Sequence, residues 1–226
     1  MCLPQLRDDT LDTDLLTTDT VQETSTTPYS MDYSHNKVQL TVFYETHCPF
    51  SVDFFVEQLK PAVLKLGSHL ELYTVPYGLA ETNDGIGDNT ISCHHGPSEC
   101  HGNMVHACVL NHVKNKTLAV LYNCCLMSTT NDYTNTDITQ CGLAEKVPVL
   151  TITNIIKCVN GTSGSLLLKS YGEVTKSNRI FYVPHLVFDQ SSVYEDSGRT
   201  DLIGTVCGML YPRPDECPKN TKDYYY

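Results

Sequence analysis

Cys48 stands in the run Thr46-His47-Cys48-Pro49-Phe50-Ser51, directly after the alternating apolar residues Val38, Leu40, Val42 and Tyr44. The thiolate, not the thiol, attacks disulfides, and a cysteine at a helix start faces unpaired N–H groups and the positive end of the helix dipole, which favour the thiolate. Pro49 suits a first helical position, and Phe55, Leu59, Val63 and Leu66 follow at helical spacing, so Cys48 falls at such a start. His47 beside it can add positive charge in acidic surroundings. The chemistry this arrangement points to is thiol–disulfide exchange with Cys48 as nucleophile. Ser51, one turn further, can donate its O–H to the Cys48 thiolate but cannot resolve a mixed disulfide, because release requires a second thiolate. A plainer reading makes Cys48 a buried cysteine at a strand end and Ser51 a helix-capping residue.

A second constellation lies downstream, in Cys93-His94-His95-Gly96-Pro97-Ser98-Glu99-Cys100-His101-Gly102-Asn103-Met104-Val105-His106-Ala107-Cys108. It resembles the signature C-Q-H-G-x2-E-C-x2-N-x4-C of the gamma-interferon-inducible lysosomal thiol reductase family, with His94 where the pattern has Gln. The run around Cys48 is similar to the reactive motif of thioredoxin-like proteins, with C-x-x-S in place of C-x-x-C. The resemblance covers roughly residues 37–217 and implies an α/β, thioredoxin-like fold with a disulfide-rich helical insertion. It further implies that Val183-Pro184 is the cis proline beside the active cysteine, fixing a backbone edge that pairs with an extended substrate. Cys48, Ser51 and Pro184 are thus the candidate catalytic residues. The implied activity is reduction of protein disulfides at acidic pH in endosomes or lysosomes. No bound cofactor is implied, and a small-molecule thiol would supply electrons.

The elements that must position these residues can be read from pattern. Val38 to Tyr44 alternates as a largely buried strand, and Leu70 to Pro76 reads as a second, with the helix after Cys48 as crossover and Pro61 expected to kink it. This β-α-β unit puts Cys48 at the carboxyl end of a strand. From Tyr77 to about Asn178 the pattern turns to polar loops and helical stretches, such as Asn103–Met127 and Thr151–Val159. The sheet is expected to resume over Arg179–Asp189, followed by a last helix over Asp201–Tyr211. Residues 1–36, rich in Thr, Asp and Ser, read as a disordered lead, and 218–226 as a polar tail.

The hydrophobic fraction is 41%, ordinary for a globular chain, and the net charge of −11 (15 Lys+Arg against 26 Asp+Glu) argues against nucleic-acid or anionic-membrane binding, for which a basic patch is the expected footprint. Disulfide-containing or unfolded proteins are the expected partners. No stretch reaches the roughly 20 apolar residues of a membrane-spanning helix. Eleven cysteines suggest an oxidising compartment, and sequons at Asn115 and Asn160 suggest a glycoprotein. A lysosomal, endosomal or secreted location follows, although Met1 to Asp32 lacks the apolar core of a signal peptide, so a leader is missing or export is unconventional.

Cys207 and Cys217, separated by a proline-containing turn, are the most plausible local bridge. With Cys2 set aside in the lead and Cys48 at the site, nine cysteines remain, one of the adjacent pair Cys124-Cys125 being surplus. The candidates for structural bridges are Cys93, Cys100, Cys108, Cys125, Cys141, Cys158, Cys207 and Cys217, in any of roughly a hundred pairings. The histidines among Cys93–Cys108 invite a zinc reading, which their spacing does not favour. Three functions compete: a monothiol oxidoreductase whose cycle an external thiol completes, a redox-impaired module retaining cysteine-containing unfolded chains, and a structural protein with a decayed site.

Overall fold

The computed structural model describes Cys2 and residues 35–85, 88–129 and 132–219. The lead expected over residues 1–36 and the tail expected over 218–226 therefore lie largely outside the described residues. Strand β1 (Val38–Tyr44) carries Val38, Leu40, Val42 and Tyr44 into the core, and its last three residues are all buried. It ends one turn before helix α1 (Pro49–Asp53), for which Cys48 is the N-cap. A π-helical stretch, Phe54–Leu59, joins α1 directly to α2 (Lys60–Leu66). The kink expected at Pro61 thus takes the form of a widened turn just before it, where the proline has no N–H to give the preceding turn.

Strand β2 (Leu70–Pro76) returns parallel to β1, in register from Val38 opposite Leu70 to Tyr44 opposite Pro76. The right-handed twist of strand and helix makes such a crossover compact, and it leaves the carboxyl ends of both strands at one edge. A small hairpin, β3 (Glu81–Gly85) and β4 (Asp88–Ser92), leads into the helical region. That region comprises α3 (Pro97–His112), α4 (Lys116–Met127), α5 (Asn135–Ala144), α6 (Val149–Val159) and α7 (Thr162–Ser177). The single helical stretch expected from Asn103 to Met127 is divided at Val113–Asn115. Asn115 Oδ1 accepts from the Leu118 N–H at 3.0 Å and starts α4 afresh.

Strand β5 (His185–Phe188) pairs antiparallel with β1, giving the sheet order β2-β1-β5. The strand is much shorter than the expected Arg179–Asp189, because Arg179 turns through a positive φ and Pro184 has no N–H for a ladder. Short α8 (Glu195–Thr200) and α9 (Leu202–Met209) close the chain over the sheet, so the last helix is also shorter than expected.

Among the described residues the two larger apolar cores are these. One packs β1, β2 and β5 against the helices after Cys48, with Val120, Cys124 and Met127 of α4 and Leu202 and Val206 of α9. The other lies within the helical region, around Val105, Tyr122, Ile138, Ile152 and Ile155. This is a thioredoxin-like α/β fold carrying a helical insertion, and Cys93–Cys100, Cys108–Cys158 and Cys125–Cys141 bridge within that insertion. Cys207–Cys217 closes the end of the fold, where Arg213 also donates to Cys207 O and Pro218 O. Cys124 is the free cysteine among the described residues; it is buried, and burial pushes its thiol far above the usual range.

Candidate active site

Cys48 is fully buried at the end of the β1–α1 turn, and its carbonyl accepts from the N–H groups of Ser51 and Val52. Its sulfur is bonded to Cys2. The expectation that Cys2 stands apart in the lead is corrected here: it is buried beside Phe43, Cys48, Val75 and Val183 in a third apolar cluster. The backbone of Cys2 is also held. Its N–H donates to Val183 O at 3.0 Å, and the Val183 N–H donates to Cys2 O at 3.3 Å, an antiparallel bridge.

Val183–Pro184 is a cis peptide bond lying against Cys48, whose Sγ is 3.8 Å from Val183 O. The residues on either side are braced by one carboxylate. Glu195, buried, accepts from Tyr182 Oη at 2.6 Å, from the Leu186 N–H at 3.2 Å and from Arg199 at 2.7 Å. A groove of about 360 Å³ runs alongside, floored by Phe50, Phe54 and Pro184 and rimmed by Glu57 and Arg199.

Ser51 is buried, and its hydroxyl accepts from the Glu45 N–H at 3.5 Å in this disulfide state. Its role toward a Cys48 thiolate, expected from sequence, concerns the reduced state. The ring of His47 stacks on Tyr133. Asn115 and Asn160, the two sequon asparagines, are exposed.

Sequence reasoning missed the acidic floor of the site. Glu45, three residues before Cys48, is fully buried, and a carboxylate oxygen, Cys2 Sγ and Cys48 Sγ all lie within 4.8 Å of one another. Its Oε1 accepts from the Leu79 N–H at 2.7 Å, while Oε2 faces the Nδ1 atoms of His94 and His95 at 3.4 and 3.3 Å. His95 also contacts Glu99 through Nδ1 at 2.6 Å and donates its N–H to Glu99 Oε1 at 3.1 Å. Burial raises the Glu45 pKa and the Glu99 carboxyl adds to it; the Leu79 N–H and His95 oppose them, leaving Glu45 raised to about 7.

The signature residues serve this floor. Helix α3 carries Glu99 and Asn103, and Asn103 Oδ1 accepts from the Thr46 N–H at 2.9 Å while Thr46 Oγ1 donates to Glu99 O at 3.3 Å. Tyr133 Oη donates to Thr46 O at 3.1 Å, so the backbone before Cys48 is gripped from two elements of the insertion. Gly96 enters α3 at a φ of 90°, a conformation open to glycine. His106 sits deeper, in contact with Tyr44 Oη through Nδ1 at 3.0 Å, and burial pushes its pKa down to about 3. Of the donors in the zinc reading, Cys93, Cys100 and Cys108 are bonded in disulfides and His106 is buried in the core, whereas His94 and His95 lie beside Glu45.

A family model of gamma interferon inducible lysosomal thiol reductase matches residues 39–147, from within β1 through the signature helix to the end of α5. GILT-like protein 1 of Drosophila melanogaster is 32% identical over 82% of this chain and 80% of its own length. The gamma-interferon-inducible lysosomal thiol reductase-like protein of Anopheles gambiae is 33% identical over 82% of each. The chain belongs to the gamma-interferon-inducible lysosomal thiol reductase family. The reductase of that name from Carassius auratus is 28% identical, over 85% of this chain and 76% of its own length. Among solved structures, Chlamydia trachomatis DsbA is similar over 80% of this chain and 95% of its own, at 16% identity and a TM-score of 0.47. A thioredoxin-like oxidoreductase from Silicibacter pomeroyi covers 74% and 87% at 10% identity and a TM-score of 0.45. Membership of the thiol reductase family, with a cysteine at the head of the crossover helix, supports a thiol–disulfide oxidoreductase role. Among the described residues no helix is long and apolar enough to cross a membrane.

Proposed function

We propose that this protein reduces or reshuffles disulfides of unfolded proteins, with Cys48 as the attacking thiolate and a small-molecule thiol as the source of electrons. The observation that carries the reading is the bonding at Cys48. A cysteine in extended backbone is disulfide-linked to it while exchanging two hydrogen bonds with Val183. A substrate strand in a mixed disulfide needs that same arrangement: main-chain pairing gives affinity without regard to sequence, and the neighbouring side chains take what pockets there are. The groove floored by Phe50, Phe54 and Pro184 suits an apolar side chain next to the substrate cysteine, of the kind an unfolded chain exposes.

Attack by the Cys48 thiolate on a substrate disulfide forms the Cys48–substrate bond and releases the other substrate sulfur as thiolate. Ser51 offers no thiol to take the first sulfur off again. The names of the relatives from Carassius auratus and Mus musculus place those proteins in the lysosome, and we assign the same acidic route, or secretion, to this chain. Glycans at exposed Asn115 and Asn160 accord with it.

The test is reduction of insulin disulfides by the full chain with a small thiol, before and after alkylation of reduced Cys48, beside Cys48→Ala. Turnover that both treatments abolish supports the reading. Binding of unfolded chains that survives both, without turnover, would instead make the protein a retention module.

A further inference from the structure

We propose that Cys2 is the second redox cysteine of this site, the thiol that releases substrate from Cys48 in place of the one that Ser51 does not supply. The proposal rests on Cys48 being the attacking thiol. Three observations carry it. Cys2 is bonded to Cys48 although 46 residues separate them in sequence. Its main chain is docked by two hydrogen bonds to Val183, so its approach is guided by backbone and not by the sulfur alone. Glu45 has a carboxyl oxygen within 4.8 Å of both sulfurs, where a thiol proton can be received and returned.

The cycle balances without further partners than the small thiol. In the reduced protein Cys48 is a thiolate and Cys2 a thiol. Attack of Cys48 on a substrate disulfide leaves a Cys48–substrate bond and one free substrate thiolate. Cys2 then attacks Cys48 Sγ while its proton passes by way of the Glu45 carboxyl to the departing sulfur; the Cys2–Cys48 bond forms, the Cys48–substrate bond breaks, and the second substrate sulfur leaves as a thiol. The substrate disulfide has gained two electrons and the Cys2–Cys48 pair has lost them. Two molecules of small thiol restore the pair and leave as their own disulfide.

Cys2 occupies the Val183 edge that an extended substrate would use. One edge cannot pair with two strands, so Cys2 docks as the substrate strand departs, and oxidation of the pair is tied to product release. The other cysteines are unsuited to this task. Eight of them are committed to four bridges and Cys124 is buried in the sheet core.

The experiment is a single turnover of the reduced full chain on insulin without small thiol, followed by non-reducing gels and mass mapping of linked peptides. Wild type is expected to yield free insulin thiols and Cys2–Cys48 peptides with little adduct. Cys2→Ser is expected to raise the trapped adduct on the order of tenfold. Adding Ser51→Cys to Cys2→Ser should clear it again, which a merely misfolded variant would not do. Adduct equal in wild type and Cys2→Ser, oxidised wild type with Cys2 unlinked to Cys48, or a double variant that stays trapped would each overturn the role of Cys2 and leave Cys48 as nucleophile. Adduct that persists in Cys48→Ser would remove the nucleophile itself, and the proposed function with it.

Discussion

Glu45 lies where a side chain on Gly78 would have to go. A Cβ built at Gly78 overlaps the Glu45 Cγ and its carboxyl group, and the Gly78 backbone has a φ of 60°. The β2–β3 connection can therefore wrap the Glu45 carboxylate and present the Leu79 N–H to it only because residue 78 is glycine. Gly78→Ala combines a left-handed backbone with a collision. It should lose about 1–3 kcal/mol in a denaturant titration and should slow thiol exchange more than Gly208→Ala in α9, whose Cβ would meet open space on an ordinary backbone.

The raised pKa of Glu45 sets a pH dependence. The folded protein holds the proton up to about pH 7, whereas the unfolded chain releases it near 4.5, the ordinary range of a glutamate. Across that window the native state binds more protons, so stability is fully present below it and falls as pH rises through about 7. Thermal melts from acid to neutral pH should show this decline, and Glu45→Gln, which cannot ionise, should flatten it. A slope unchanged in Glu45→Gln would place the titration elsewhere.

Glu195 braces the Val183–Pro184 turn through Tyr182, Leu186 and Arg199. Glu195→Ala leaves the buried Leu186 N–H without its acceptor and removes one of the two carboxylates on the partly buried Arg199, which keeps Asp196, a loss of about 1–3 kcal/mol. If the Val183 edge is the substrate edge, a milder Glu195→Gln should raise KM for insulin more than it lowers the rate of Cys48 alkylation in the reduced protein. Equal effects on both would assign Glu195 to folding alone.

Two cysteine substitutions should part company. Cys108–Cys158 ties α3 to α6 across 50 residues of chain, and its loss should cost about 2–5 kcal/mol. Cys124→Ala should leave the disulfide map intact, and native Cys124 should resist alkylation until the protein unfolds, since it is buried and its thiol is held protonated. Mass mapping of both variants checks the pair together.

How much of this was legible follows the range of the interactions. Val38 to Tyr44, Cys48, Pro49 and Leu70 to Pro76 announce their strand-helix-strand unit through local alternation and helical spacing, and the structure builds that unit. The hairpin of β3 and β4 was not read, since Glu81 to Ser92 is rich in Asp, Asn and Gly and poor in strand formers. Glu99 and Asn103 were visible as signature positions. What they do, holding Thr46 and sharing His95 with Glu45, depends on about fifty residues of intervening chain folding back. Cys2 was hidden for the same reason more strongly, because its neighbours in sequence carry no periodicity and its partners, Cys48 and Val183, are distant. Glu195 carried no signal beyond being an acid near the last helix.

Helix α3 belongs to both halves of the protein. Glu99 and Asn103 on it hold the turn before Cys48, while Val105, Cys108 and Val109 on the same helix are built into the core of the helical region. The insertion is consequently not a detachable module. Shortening the chain to a minimal sheet with its crossover helix would remove the supports of the reactive turn along with the added helices. Any smaller relative that kept this chemistry would need another scaffold for the backbone of Thr46.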